Sequence, residues 1–269
     1  MILFIKNMIS FIKKILNNII IIFFKTLGYE IEIKNNRYTF LGIYSSYKEA
    51  QLKAKNNSTY THQENEKVHS LEKLENIEVS GRAYIFTIFC AINSNEFNDK
   101  SNFLEIGGGT TPTFLYILKS INKKYKFKIL EHKNFRINIP NEYKVYLDYI
   151  TQLKDINLDK LDSVIFSSSI QYMENYKEVL DKIFASRIKY IFITETIFTE
   201  MSEDIFSLQN NVGNTRFPYI FFSYKKLNQL FCDNNYKLTY NRKRNINKFK
   251  HNTLDGNNYF TKDLIYKLN

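Results

Sequence analysis

Phe103-Leu104-Glu105-Ile106-Gly107-Gly108-Gly109-Thr110-Thr111 sets an apolar run directly before three consecutive glycines, and a helical pattern opens at about Thr113. An apolar strand, a glycine turn and a helix start, in that order, begin a βαβ unit. Glycine permits positive backbone φ and lets main-chain N–H groups approach a ligand with no Cβ in the way. The helix N-terminus adds further donors. Tight strand-to-helix turns also use glycine for geometry alone, so the loop implies a ligand only if a second feature supports it.

That feature is Lys128-Ile129-Leu130-Glu131, an apolar run that ends in a carboxylate 22 residues after Gly109. The spacing is close to the roughly 20 residues at which an acid meets the ribose hydroxyls of a bound nucleoside. Glu131 is the predicted ribose ligand. Glu105 lies inside the first strand, where a buried carboxylate is costly unless loop amides or a ligand ammonium meet it. Asp148 follows the run Lys144–Leu147 and is read either as an acceptor for an adenine amino group or as a surface acid. A dinucleotide fingerprint would place glycine at the position of Pro112, and the Tyr44/Lys48 pair precedes the loop, so NAD fits poorly. S-adenosylmethionine (SAM) is the predicted occupant of Gly107, Gly108 and Gly109.

Outward from this unit, short apolar runs alternate with helical patterns, the mark of a parallel sheet with crossover helices. The runs are Phe103–Ile106, Phe127–Glu131, Lys144–Leu147, Ser163–Ser167 and Tyr190–Thr194. Helices are predicted over Thr113–Ile121, Tyr176–Phe184 and Ser223–Phe231. An irregular stretch fills Thr196–Pro218, and strand-like runs Tyr236–Arg242 and Leu264–Leu268 close the chain. The expected fold is α/β: a Rossmann-like class I methyltransferase domain over residues 99–269, seven-stranded and mostly parallel with an antiparallel terminal hairpin. Residues 36–98 show no sheet alternation and carry helical stretches at Ser46–Asn56, Gln63–Glu75 and Ser80–Ile92. Residues 31–98 are therefore read as a helical extension.

The run Ser163–Ser167 leads into Ser168-Ser169-Ile170-Gln171-Tyr172, a polar turn before a helix. In class I enzymes the turn after this strand faces the transferable methyl. Ser168 is accordingly assigned to the cofactor, and Gln171 and Tyr172 to the acceptor pocket; helix capping and core packing are the alternative readings of these side chains.

At this point the sequence resembles a family of methyltransferases encoded among bacterial lipopolysaccharide and capsule biosynthesis genes. The resemblance runs from about residue 38 to the C-terminus. Phe40 to Ala50 resembles that family's W-x-G-x-Y-x-S-W-x-E-A opening, with Phe40 and Tyr47 in place of the tryptophans, and Tyr60 to Val68 resembles the stretch that follows. Leu104 to Gly109 is similar to its D-F-G-G-G loop, Ile129 to Glu131 to its V-V-E, and Ser167 to Tyr172 to its S-S-x-L-Q-Y. Pro218 to Ser223 resembles a segment before the penultimate helix, and Gln209 matches a glutamine upstream of it. The family's I-D-R-T-P-F appears here as Ile193 to Phe198, with Thr194 and Glu195 replacing its Asp and Arg, so no role of that charged pair carries over. The resemblance implies SAM-dependent methylation of a surface-polysaccharide sugar or its small-molecule or lipid-linked precursor.

Composition narrows the alternatives. The net charge of +11 is spread through a chain rich in Lys, Asn and Ile, and no aromatic residues interleave with the basic ones in a nucleic-acid-binding pattern. Nucleic acid is not an expected partner. Cys90 and Cys232 are far apart, which excludes a disulfide framework, and the four histidines include no close pair, so no metal is expected. The compartment read from this is cytoplasmic. In residues 1–30, apolar Ile5, Met8, Ile12, Ile15, Ile19, Ile22 and Phe23 recur at steps of three and four with lysines between them. This spacing predicts an amphipathic helix that lies on the inner face of the cytoplasmic membrane or packs on protein. Its longest uncharged run, Ile15–Phe24, is 10 residues, against the roughly 20 a span requires. Two other function classes stay open: a non-catalytic SAM-fold subunit partnering a glycan enzyme, and a basic membrane- or nucleic-acid-binding protein.

Overall fold

The computed structural model describes residues 38–54, 89–90, 93, 95–107, 125–131, 139, 141–210, 216–244, 249–251 and 259–269. The N-terminal helix, the helices read over 63–75 and 113–121, and most of that over 80–92 lie outside the described residues. The following elements build the described part. Strand β1 is Tyr38–Tyr44, helix α1 Tyr47–Ala54, β2 Asn102–Ile106, β3 Lys126–Leu130, β4 Leu147–Ile150 and β5 Ser163–Ser167. They are followed by α2 Tyr176–Ala185, β6 Tyr190–Thr199, β7 Ile205–Asn210, β8 Arg216–Ser223 and α3 Tyr224–Asp233. Strands β9 Tyr236–Arg244, β10 Phe249–His251 and β11 Tyr259–Leu268 complete the chain.

One sheet runs β4-β3-β2-β5-β6-β11-β9. The first five strands are mutually parallel, and β11 lies antiparallel between β6 and β9. This is the expected order of the class I methyltransferase fold, with the terminal hairpin inserted so that its second strand is inside. All five residues of β5 are buried, as befits a parallel strand covered on both faces. On one face, Leu104, Val164, Phe166, Ile191 and Ile193 pack beneath α2 and α3. Helix α2 presents Val179, Leu180, Ile183 and Phe184, the spacing of a single helical stripe. Helix α3 is capped by Ser223, whose hydroxyl accepts the Lys226 N–H at 3.4 Å, and buries Leu227 and Phe231. The other face carries Phe103, Phe127, Ile129, Ile165 and Phe192, packed by Phe89, Cys90 and Phe97.

A second sheet, β10-β1-β7-β8, joins the first because β8 pairs in parallel with the end of β6 at Phe198↔Phe222 and Thr199↔Ser223. Strand β6 serves both sheets through a bulge. Thr194 and Glu195 together oppose the single residue Asp263 of β11, and Glu195 has φ +52°. The Asp263 carboxylate accepts the Glu195 N–H at 2.9 Å and Arg244 Nε at 2.7 Å, while Arg244 also reaches the Glu195 carboxylate.

The second sheet corrects two expectations. The segment read as free of strands contains β1, whose alternation is broken by Gly42 at φ +69° and a register shift against β7. The stretch read as irregular contains the end of β6, all of β7 and the start of β8. Its polar residues Thr196, Thr199, Ser207, Gln209 and Asn210 are buried, so hydropathy alone reads them as loop. The third parallel strand also lies later than expected. Asn141–Tyr143 form a 3-10 turn, residues 144–146 continue it, and the strand begins at Leu147.

The loop before β2 is pinned by Glu96. Its carboxylate accepts the Tyr190 hydroxyl and meets Lys189 at 3.0 Å and Lys267 at 3.2 Å. The Tyr190 hydrogen bond, helped by the two ammonium groups, holds the carboxyl down at about 2. A lowered folded-state value stabilises the fold above the unfolded value of about 4.3. That contribution is lost as pH falls from there through about 2. Urea midpoints measured from pH 6 to 2.5 should therefore decline less steeply for Glu96→Gln than for the parent chain; parallel declines would contradict the assignment.

Candidate functional site

The strand order reverses at β2: the chain passes from β2 to β3 and β4 on one side, then returns to β5 on the other. In open parallel sheets the crevice outside the carboxyl ends of the strands at such a point is where ligands bind. Three predicted residues stand at these ends. Gly107 follows β2, Glu131 follows β3 and Ser168 follows β5.

Gly107 has φ +65°, the left-handed conformation that the glycine reading expects. A Cβ there would come within 3.0 Å of the Ser169 Cβ. The Gly107 N–H, however, donates to the Leu130 carbonyl at 2.9 Å, so it ties the turn to β3 instead of facing a ligand. Gly108 and Gly109 lie outside the described residues. Ser169, to which the sequence assigns no role, donates its hydroxyl to the Ile106 carbonyl and so fastens the β5 turn to the β2 turn. Its only sequence signal is a small polar residue after an apolar strand, which is common to many turns.

Glu131 sits immediately beyond β3, half-buried, with its N–H donating to the Ile150 carbonyl at 3.2 Å. The residue therefore stands at the carboxyl end of the parallel strands. Glu105 is fully buried within β2, in register with Ile129 and Ile165. Asp148 is displaced from its predicted place. It is an exposed residue within β4, level with Lys128, while Glu131 lies beyond the end of β3. The later start of the strand moves Asp148 away from the carboxyl ends of the strands, and the adenine role expected of it gains no support from its position.

The β5 turn is tightly specified. Ser168 adopts φ +54°, uncommon for a side chain, and its N–H donates to the Thr194 carbonyl at 3.0 Å. Gln171, expected to line a pocket, is 1% exposed. Its Nε2 donates to the Ser168 hydroxyl at 3.1 Å and its Oε1 accepts the Thr196 hydroxyl at 3.3 Å. Both ends of its amide are engaged, so Gln171 holds the turn. Tyr172 is half-buried against Tyr219, with ring centroids 5.3 Å apart at 88°. Its hydroxyl donates to Gln209 Oε1, and its carbonyl accepts the Tyr47 hydroxyl at 2.6 Å. Burial, with Glu174 nearby, pushes Tyr47 up to about 12, so this bond keeps its proton at neutral pH. The second sheet thus reaches the turn through Gln209, Tyr219 and α1, a connection that no single motif announces.

Where the resembling family carries Asp-Arg, this chain has Thr194 and Glu195, and the structure puts Arg244 and Asp263 beside them. Burial pushes the Asp263 carboxyl up, opposed by the Glu195 N–H and the Arg244 guanidinium. Among the described residues no group of three or more His, Cys, Asp or Glu is arranged to hold a metal ion.

No protein-family model matches the chain. No curated protein matches it either. Among solved structures it is similar to an S-adenosylmethionine-dependent methyltransferase from Clostridium acetobutylicum ATCC 824, at 11% identity over 76% of this chain and 98% of that one, TM-score 0.43. It is also similar to the N-terminal domain of EvdMO1 with SAH bound, at 10% identity over 80% and 99%, TM-score 0.45. A third is the MccD protein, at 10% identity over 68% and 96%, TM-score 0.47. The fold assignment rests on the strand order and not on these overlays.

Gly107→Ala tests the turn. The substitution forces a Cβ into left-handed backbone and against Ser169 Cβ, and should lower stability by about 1–3 kcal/mol, read as a reduced urea midpoint. An unchanged midpoint would show that the turn tolerates a side chain.

Proposed function

We propose that this chain is a SAM-dependent methyltransferase acting on a sugar of a surface polysaccharide or on its small-molecule or lipid-linked precursor. The observation that carries the reading is the convergence of Gly107, Glu131 and Ser168 at the carboxyl ends of three neighbouring parallel strands, where the strand order reverses. The residues fit the cofactor in that Gly107 takes the left-handed backbone of a glycine turn, closed by Ser169 against a side chain, and a carboxylate, Glu131, follows the neighbouring strand. The resemblance to the polysaccharide-associated methyltransferases supports the acceptor class.

Gly107 to Gly109 would cradle the cofactor, Glu131 would bind the ribose hydroxyls, and Glu105 and Ser168 would stand toward the methionine moiety. SAM supplies an activated methyl group, so the protein's main contribution is alignment of the acceptor. Such alignment is worth roughly 7 kcal/mol or more. Gln171 contributes by fixing Ser168, and Tyr172 by facing the acceptor side of the turn. Residues 1–27 support peripheral contact with the cytoplasmic face of the inner membrane through their helical spacing. Among the described residues no helix is long and apolar enough to cross a membrane.

Titration calorimetry with S-adenosylhomocysteine is the test. The folded chain should bind it at one site. Glu131→Ala should weaken binding about 10- to 100-fold, the loss of a charge-assisted pair of hydrogen bonds, with an unchanged melting temperature. A folded chain that binds neither SAM nor its product, or a variant that binds normally, would refute the assignment.

A further inference from the structure

Gln209 stands in the second sheet between two aromatic neighbours, directly opposite Phe40 of β1 on one side and Phe217 of β8 on the other. Residues directly opposite in adjacent strands share a face, so Gln209 is set in an aromatic row. It is 3% exposed. The Tyr172 hydroxyl donates to its Oε1, which fixes the plane of the amide. Its Nε2 makes no hydrogen bond among the described residues, and the side chain has no further polar contact there. Nε2 is not among the fully buried side-chain atoms that lack a partner, so the amide, its oxygen pinned, holds an N–H where a ligand oxygen can reach it in place of water.

The surroundings define that ligand. Tyr172 belongs to the same turn as Ser168 and Gln171, so the Gln209 amide lies beside the turn that holds the cofactor side of the site. Tyr172 stands edge-on to Tyr219 at 5.3 Å and to Phe217 at 6.3 Å. Aromatic rings beside an N–H donor suit a group with an apolar face and an uncharged oxygen acceptor, as a pyranose ring has.

We propose that Gln209 is the acceptor-recognising residue of this site: its Nε2–H, oriented by the Tyr172 hydroxyl, hydrogen-bonds an oxygen of a neutral sugar ring packed on Tyr172. The proposal rests on the methyltransferase reading and names the group that selects its acceptor. No covalent step is assigned to Gln209, whose part is to bind and orient.

Saturation-transfer NMR on the full chain with S-adenosylhomocysteine present tests it, using methyl glucopyranoside, methyl galactopyranoside and methyl mannopyranoside as probes. At least one should bind to the parent chain with an affinity that does not change between pH 5 and 8. Glutamic acid is nearly isosteric with glutamine, and burial favours its neutral form, whose O–H replaces the lost N–H. The Gln209→Glu variant should therefore bind the same probe within about threefold of the parent at pH 5 and at least about tenfold more weakly at pH 8. Tyr172→Phe unpins the amide and should weaken the probe about three- to tenfold at both pH values. Probe affinity equal to the parent's in both variants at both pH values, or no binding of any probe to the parent, overturns the proposal. Product affinity measured alongside separates the two readings: if S-adenosylhomocysteine binds while the sugar pattern fails, only the role of Gln209 is lost.

Discussion

The bulge in β6 is the constraint on which the two halves of the molecule depend. A regular strand would continue the face pattern set by Tyr190, Phe192 and Thr194. With Thr194 and Glu195 opposing one residue of β11, the pattern shifts, and Ile193 and Phe198 pack in the same core beneath the helices. The strand can then leave the parallel sheet and pair with β8. Glu195 is held in left-handed backbone by Asp263 and Arg244, both from the terminal hairpin. The hairpin is therefore more than a closing edge, because it fixes the place where the parallel sheet joins the second one. Asp263 is fully buried and Arg244 17% exposed in its side chain, a setting in which removing one partner leaves the other charge uncompensated.

The same economy appears at the β5 turn. Ser168 and Glu195 are both left-handed, and the Ser168 N–H is bound to the carbonyl of Thr194, the residue just before Glu195 in the bulge. Gln171 bridges Ser168 to Thr196, just after it. The turn after one strand and the bulge in the next are thus a single hydrogen-bonded unit. Strain at both positions is compensated by bonds that exist only when the two are in place, as backbone held in sparsely populated conformations requires.

Much of the parallel sheet is legible in the sequence, because buried parallel strands read as continuous apolar runs and the glycine turn and Glu131 mark the ends of two neighbouring strands. The second sheet is not. Its strands bury Ser207, Gln209 and Asn210, and polar residues with internal partners look like loop to any reading based on hydropathy. Asp148 is misplaced by sequence alone because a 3-10 turn and a strand share the apolar composition of Tyr143 to Tyr149. Gln171 lies at the turn as expected, and its amide is bonded there to Ser168 and Thr196. Sequence shows that an amide is present, and only the structure shows that both of its ends are taken. Gln209 is visible in sequence as a matching glutamine, and its connection to Tyr172 follows from pairings 37 residues apart that no local pattern encodes.

If the reversal of strand order at β2 makes a SAM site framed by Gly107, Glu131 and Ser168, a crystal structure of the full chain grown with S-adenosylhomocysteine tests it most directly. The account predicts the ribose hydroxyls on the Glu131 carboxylate and the amino-acid end between Gly107 and Ser168, with the sulfur directed toward Tyr172. Product density elsewhere on the molecule, or a well-ordered crevice at these three residues that stays empty of product at saturating concentration, would contradict it.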